Sequence, residues 1–418
     1  MMKAAKFNRR HFIKTTVGAG MFTAMAGCQP TEERSKISVS QLDKVAAQPV
    51  LKRDYFSSSV TIESIELLYN GQYYMVHSRA KDGAVGIAVT NTRADYLYPI
   101  LNQLVIPFFI DKDARDLDSL LFGVYRYNSN YKLSGLALWC CVAWVEFSLL
   151  DLLGKIAGKP VGELIGKVIR REIPVYFASG RRDTTPEDEV ELLQKSIEET
   201  GVKAVKFRVG GRMSNNADAM PGRTEKLIPL ARKVLGDDIA IHADSNSSYD
   251  PPKSIEVGRM LEDINAVFFE EPCPFDHLED TKKVADVLKI PIAWGEQETS
   301  LRRFRWMIQN NGVQVVQPDL HYNGGLIRAS RVARMAAVAG LPTNLHISGG
   351  LGYVDMLHFA SCTPDIGQFQ EYKGDVTKTG KLYDPPLRLK NGAINVPTGP
   401  GLGLTHVDEL LRNAKKIV

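Results

Sequence analysis

Three short runs decide how this chain folds: Ile239-Ala240-Ile241-His242-Ala243-Asp244, Val267-Phe268-Phe269-Glu270-Glu271 and Ile290-Pro291-Ile292-Ala293-Trp294-Gly295-Glu296. Each is a brief apolar stretch that closes on a carboxylate. Asp244, Glu270 and Glu296 follow one another at intervals of 26 residues. That interval accommodates one strand, one helix and their loops, so the three acids should end successive parallel strands and face one point. Working outward, apolar runs alternate with amphipathic ones from residue 173 onward. The predicted strands are 173–179, 204–209, 239–244, 267–270, 290–295, 313–317, 343–347 and 366–370. Eight strands with helices between them argue for a (β/α) barrel, whose chemistry lies at the C-terminal ends of its strands.

The strand ends are rich in ionisable groups. The second predicted strand ends Lys206-Phe207-Arg208, the sixth ends Gln317-Pro318-Asp319, the seventh carries His346 and the eighth ends Gln370-Glu371-Tyr372. Three carboxylates brought to one point repel one another unless a cation lies between them. All-oxygen ligation favours a hard ion, Mg²⁺ first and Mn²⁺ second. A single acid after a strand is often an ordinary surface group; three at one spacing are not. Asp244, Glu270 and Glu296 are therefore the expected metal ligands. Period-2 alternation should turn Glu271 away from the point that Glu270 faces. Asn246, Tyr249 and His321 fall at or just past strand ends and are candidates to touch substrate. His242 shares the facing of Asp244 but lies deeper in its strand, which suits a structural role.

Ahead of the barrel, residues 56–172 read as an α+β region. Strands are predicted at 62–68, 73–79 and 84–89, with a turn at Asp82-Gly83. Helices follow, the clearest over 135–157, where Leu136, Trp139, Val142, Ala143, Leu149, Leu150 and Leu153 recur at helical spacing. Gly158-Lys159-Pro160 stops it.

The formal charge of +4 divides unevenly. Residues 1–27 hold Lys3, Lys6, Arg9, Arg10 and Lys14 and no acid, which leaves 47 basic against 48 acidic residues in the rest. The body has no basic footprint for nucleic acid. Asn8-Arg9-Arg10-His11-Phe12-Ile13-Lys14, followed by an uncharged stretch to Gly27, resembles a twin-arginine export signal over residues 1–28. Met25-Ala26-Gly27-Cys28 resembles a bacterial lipoprotein cleavage box, so Cys28 is the expected lipidation site and the only membrane attachment expected. The destination would be the periplasm. Residues 29–55 read as a polar tether. Cys140, Cys141, Cys273 and Cys362 show no metal-type spacing and read as buried thiols.

The body of the chain resembles the enolase superfamily, in its mandelate racemase/muconate-lactonising branch, over roughly residues 60–400. The resemblance is carried by Glu146-Phe147-Ser148-Leu149-Leu150-Asp151, the three ligands, Asp319 ahead of Asn323-Gly324-Gly325, and His346 fifty residues after Glu296. It implies a modified (β/α)7β TIM-like barrel over 173–385, an α+β N-terminal capping domain over 56–172, and a C-terminal segment, 386–418, returning to the cap. It also implies a homo-oligomer. The shared chemistry is removal of the proton α to a carboxylate by a Lys or His base with Mg²⁺. His346 would be the base, oriented by Asp319, and Glu371 would share a proton with the substrate carboxylate, which requires a raised pKa. Many relatives carry Lys-x-Lys where this chain has Lys206-Phe207-Arg208. Arginine is a poor base, which disfavours two-base racemisation. Arg208, with Lys206, would instead bind the substrate carboxylate or stabilise the enediolate, and Lys206 stays open as a base or acid in a rotated geometry. The resemblance thus points to a hydro-lyase acting on a small sugar acid. A sugar-acid epimerase or cycloisomerase is the alternative, and a non-catalytic lipoprotein that binds sugar acids is the remote one.

Overall fold

The computed structural model describes residues 37–373 and 376–417. Cys28 and the expected signal segment, residues 1–28, lie outside the described residues. The first element among the described residues is a helix, Val39–Ala46, opened by a capping box in which Ser38 and Gln41 bond each other's backbone. Its Leu42 is fully buried beside Trp294 and Phe304, and Asp43 pairs with Arg305 at 2.7 Å. The tether expected as far as residue 55 is therefore corrected. From Ser38 onward the chain is docked on the body, because an apolar residue within a polar stretch finds a helix face to cover.

The amino-terminal sheet is a meander of β1 (Ile62–Tyr69), β2 (Tyr74–Ala80) and β3 (Val85–Val89). Its second turn uses Gly83 at φ 91°, a value glycine adopts without penalty. The helix Leu136–Ala157 packs across β3 so closely that a Cβ on Gly86 would lie 2.0 Å from the carbonyl oxygen of Ser148. This helix is long and apolar enough to cross a membrane, but 89% of its most apolar window is buried inside the fold. It ends at Gly158 in the left-handed conformation.

The second sheet is built on parallel pairing. β4 (Glu172–Ala178), β5 (Ala204–Arg208), β6 (Ala240–Asp244), β7 (Phe268–Glu270), β8 (Ile292–Trp294) and β9 (Val315–Val316) lie side by side in chain order. Parallel bridges join Val316 to Thr343 and Thr343 to Ile366. β10 (Gln370–Tyr372) then pairs with β4. Helices such as Pro186–Thr200, Pro251–Asp263 and Leu301–Gln309 connect the strands, each opened by a side-chain cap from Thr185, Asp250 or Ser300. β12 (Ala393–Asn395) pairs antiparallel with β4, β11 (Leu389–Lys390) pairs antiparallel with β12, and β13 (Lys415–Lys416) pairs with β1.

One buried acid ties the two regions together. Glu146, on the helix Leu136–Ala157, accepts the N–H groups of Leu326 at 2.6 Å and Ile327 at 2.9 Å, capping the helix Leu326–Val338. Gly325, at φ 106°, makes room for it: a Cβ there would lie 1.9 Å from a Glu146 oxygen. Burial pushes the Glu146 carboxyl up to about 8, only partly offset by those two bonds.

Candidate active site

Parallel register places the chemistry. Arg208 lies opposite Asp244 in the β5–β6 ladder, and Asp244 opposite Glu270 in the β6–β7 ladder. One ligand atom from each of Asp244, Glu270 and Glu296 falls within 4.8 Å of the others, and all three residues are buried. Three buried acids this close need compensating positive charge. Burial raises the Glu270 carboxyl; Lys206 opposes this and Glu296 adds to it. Burial acts the same way on Glu296, but His346, Lys373, Lys206 and Arg208 together hold it at about 2. Glu270 Oε1 is buried with no hydrogen-bond partner. Oxygen-only donors with an unsatisfied lone pair fit a hard divalent cation such as Mg²⁺.

On one side of this group stands an acid–imidazole pair. Asp319 Oδ2 is 2.7 Å from His346 Nδ1, while Asp319 Oδ1 accepts the backbone N–H groups of His321 and Tyr322 at 2.8 Å and the Ser348 hydroxyl at 3.1 Å. With both its oxygens engaged, Asp319 fixes the imidazole ring. His346 Nε2 then points at the carboxylates, 3.3 Å from Glu296 Oε2.

Facing it are the cations of β5. Lys206 is fully buried, with Nζ 2.6 Å from Glu270 Oε2, 2.8 Å from Glu371 Oε1 and 3.8 Å from Asp244 Oδ2. Burial lowers its pKa, but Glu270 and Glu371 more than reverse this and hold the ammonium well above its usual range. Arg208 pairs with Asp244 and donates from Nε to the Ser179 carbonyl at 3.1 Å.

Several expectations are corrected. Sharing a proton required Glu371 to have a raised pKa. Burial does raise it, but Lys206, Lys373, His346 and Arg208 outweigh burial and pull it well below the carboxylate range. Glu371 pairs with Lys206 at 2.8 Å and Lys373 at 3.0 Å, and it also accepts the Ile347 N–H at 2.8 Å. Glu271 does not follow period-2 alternation. Its φ of 41° breaks the strand, and its carboxyl is pushed up by burial and by nearby Glu296 and Glu270. Tyr249, expected near substrate, is turned into the core beside Leu227 and Val257, its hydroxyl 3.3 Å from that of Thr224. Positive φ at Asn246 and Ser247 sends the chain back over the strand and carries Tyr249 inward. His321, also expected near substrate, is bent by the Asp319 turn against Phe147, ring centroids 5.0 Å apart, with Nε2 3.9 Å from Asp355. Asn246 donates to both Asp244 oxygens, from its backbone N–H at 2.7 Å and from Nδ2 at 3.2 Å. His242 stacks on Phe268 with centroids 4.2 Å apart, a core role.

Two groups escaped the sequence reading. Lys373 Nζ lies 2.9 Å from His346 Nε2, 3.0 Å from Glu371 Oε2 and 2.5 Å from the Ile347 carbonyl. Its signal was the two-residue step from Glu371, which gives both side chains one facing. Arg182 donates to Asn246 Oδ1 from the loop after β4. Its signal was the pair Arg181-Arg182 just beyond β4, which ends on no acid.

Residues 188–410 match the family described as Enolase C-terminal domain-like. The chain is 28% identical over 343 residues to the arabinonate dehydratase of Saccharolobus solfataricus, covering 80% of this chain and 88% of that one. It is 25% identical over 337 residues to the L-talarate/galactarate dehydratase of Salmonella typhimurium, covering 80% of each. The crystal structure of a mandelate racemase/muconate lactonizing protein from Paracoccus denitrificans PD1222, complexed with magnesium, superposes with a TM-score of 0.79 at 26% identity. That match covers 86% of this chain and 100% of the other.

Proposed function

The chain belongs to the Enolase C-terminal domain-like family, and from that premise we propose that it is a sugar-acid dehydratase, a carbon–oxygen lyase. Mg²⁺ held by Asp244, Glu270 and Glu296 would supply fixed positive charge to the substrate carboxylate. His346 takes the α-proton at Nε2. Asp319 keeps the other ring proton on Nδ1 and stabilises the imidazolium that forms. The electron pair left behind delocalises into the carboxylate as an enediolate, with Lys206 and Arg208 adding positive charge nearby. The pair then returns to form the C=C bond as the β-hydroxyl leaves. The proton on His346 goes to that hydroxyl, so one water is lost overall.

The observation that carries this reading is the placement of one ring: His346 bonds Asp319 through Nδ1 and turns Nε2 to Glu296. Dehydration is favoured over epimerisation because Lys206 is engaged by Glu270 and Glu371, and Arg208 by Asp244. Among the described residues, no free base then stands on the second face. The test is a panel of five- and six-carbon sugar acids with Mg²⁺, with products identified by NMR. A 2-keto-3-deoxy acid supports dehydration; an epimer or lactone as sole product overturns it.

Three further readings belong with this one. The parallel pairing through Thr343 and Ile366 back to β4 supports a closed (β/α)7β barrel under its cap. Residues 1–28 would export the enzyme to the periplasm with a lipid on Cys28, to be checked by mass spectrometry of the mature N-terminus. The enzyme would assemble as a homo-oligomer, to be checked by light scattering.

A further inference from the structure

We propose that Arg182 and Arg212 form a subsite for a second carboxylate of the substrate, so that the preferred substrate is a sugar diacid. The inference rests on the sugar-acid reading above and narrows it.

Arg182 lies in the loop after β4, and Arg212 in the long loop after β5. Both aim at one neutral acceptor, Asn246 Oδ1, Arg212 from 3.5 Å. The other bonds of Arg182 go to the Gly180 and Gly211 carbonyls, both at 3.1 Å. Among the described residues neither guanidinium has an acid partner. Their neighbours do: Arg208 pairs with Asp244, and Arg223 with Glu189 at 3.3 Å. A half-buried cation held only by neutral oxygens carries an uncompensated desolvation cost. Burial and the like charges of Arg208 and Arg212 together push Arg182 down to about 9, with Glu296 a partial offset. An anion placed between the two forks would relieve this strain, and a carboxylate matches guanidinium geometry.

The position selects the far end of the substrate. Asn246 spans the gap, with its amide nitrogen on Asp244 and its amide oxygen facing the arginines. The two guanidiniums therefore stand one amide side chain away from the expected metal ligands, within reach of a short carbon chain whose first carboxylate lies at those ligands. Arg212 is exposed and can meet substrate as it enters.

The experiment compares Mg²⁺-loaded wild type, Arg182→Met and Arg212→Met on three matched substrates: a six-carbon sugar diacid, its monoacid and the monoacid 6-phosphate. Wild type is expected to favour the diacid over the monoacid by about tenfold or more in kcat/KM, the worth of one charge-assisted contact. Each variant should collapse that ratio toward one, chiefly through KM for the diacid. Equal losses on diacid and monoacid, a wild-type preference for the monoacid, or a stronger preference for the phosphate would each overturn the assignment. Arg212→Met replaces an exposed side chain, so it tests the idea even if Arg182→Met fails to fold. If no sugar acid is turned over, the dehydratase reading falls, and calorimetric titration with the diacid decides the subsite alone. Binding weakened in Arg212→Met supports it; unchanged binding overturns it.

Discussion

The two rims that flank the carboxylates both carry basic side chains, yet they are built differently. On the β5 rim, Lys206 is fully buried, and it and Arg208 are each paired with acids. On the opposite rim, His346 is held from behind by Asp319, and Lys373 beside it is 31% exposed. A base needs a lone pair and a path to its substrate. Both rims place an ammonium on Glu371, Lys206 at 2.8 Å and Lys373 at 3.0 Å, but only the second carries an imidazole, oriented by Asp319. On the reading proposed above, proton transfer falls to the His346 face and charge compensation to the β5 face.

Removing divalent ions with a chelator should have the largest effect, bringing turnover to background. Mg²⁺ should restore it and raise the melting temperature. Activity that survives chelation would mean that the acids compensate only the β5 cations. Next in size, Lys206→Met should cost roughly 3–5 kcal/mol in urea unfolding, because it strands Glu270 and Glu371 as buried charges. A cost near zero would show that this rim is not the compensating one. Asp319→Asn should lower kcat by about 10²-fold, the usual size of losing an orienting carboxylate, while the protein stays folded by circular dichroism. Lys373→Met should lower kcat/KM by roughly tenfold, as expected for one charge-assisted hydrogen bond at the His346 ring. A much larger loss would make Lys373 a second proton carrier.

Away from both rims, the smallest effect concerns pH. Glu146 has its folded pKa raised to about 8 from an ordinary 4.5. The folded chain keeps a proton that the unfolded chain has lost, so this contribution to stability is complete below about 4.5 and fades as pH rises toward 8. Glu146→Gln should flatten that part of the stability–pH curve. An unchanged slope would place the titration elsewhere.

Much of this was legible in the sequence because strands and their ends are local. The 26-residue step located Asp244, Glu270 and Glu296, and parallel register then set Asp244 opposite Glu270. The helix over 135–157 and its stop at Gly158 follow from periodicity and a left-handed glycine. What stayed hidden depends on backbone turns that alternation cannot foresee. Positive φ at Asn246 and Glu271 redirected Tyr249 and Glu271. Glu298, which also stands just past an expected ligand, instead accepts the Thr299 and Ser300 N–H groups at 2.8 and 2.6 Å at the start of the next helix. The lowered pKa of Glu371 arises from cations on two other segments and Lys373 on its own, a balance no single stretch contains. The helix at Val39–Ala46 was obscured because a single buried leucine anchors it.

The division of labour between the rims is tested most directly by proton exchange. Incubated with Mg²⁺ and a turned-over sugar acid in deuterated water, wild type should place solvent deuterium at the α-carbon or release the dehydrated acid. His346→Asn should lose both by about 10³-fold, within the range for a general base, while retaining its fold. Exchange at the wild-type rate in His346→Asn would contradict the assignment and move the base to the β5 rim.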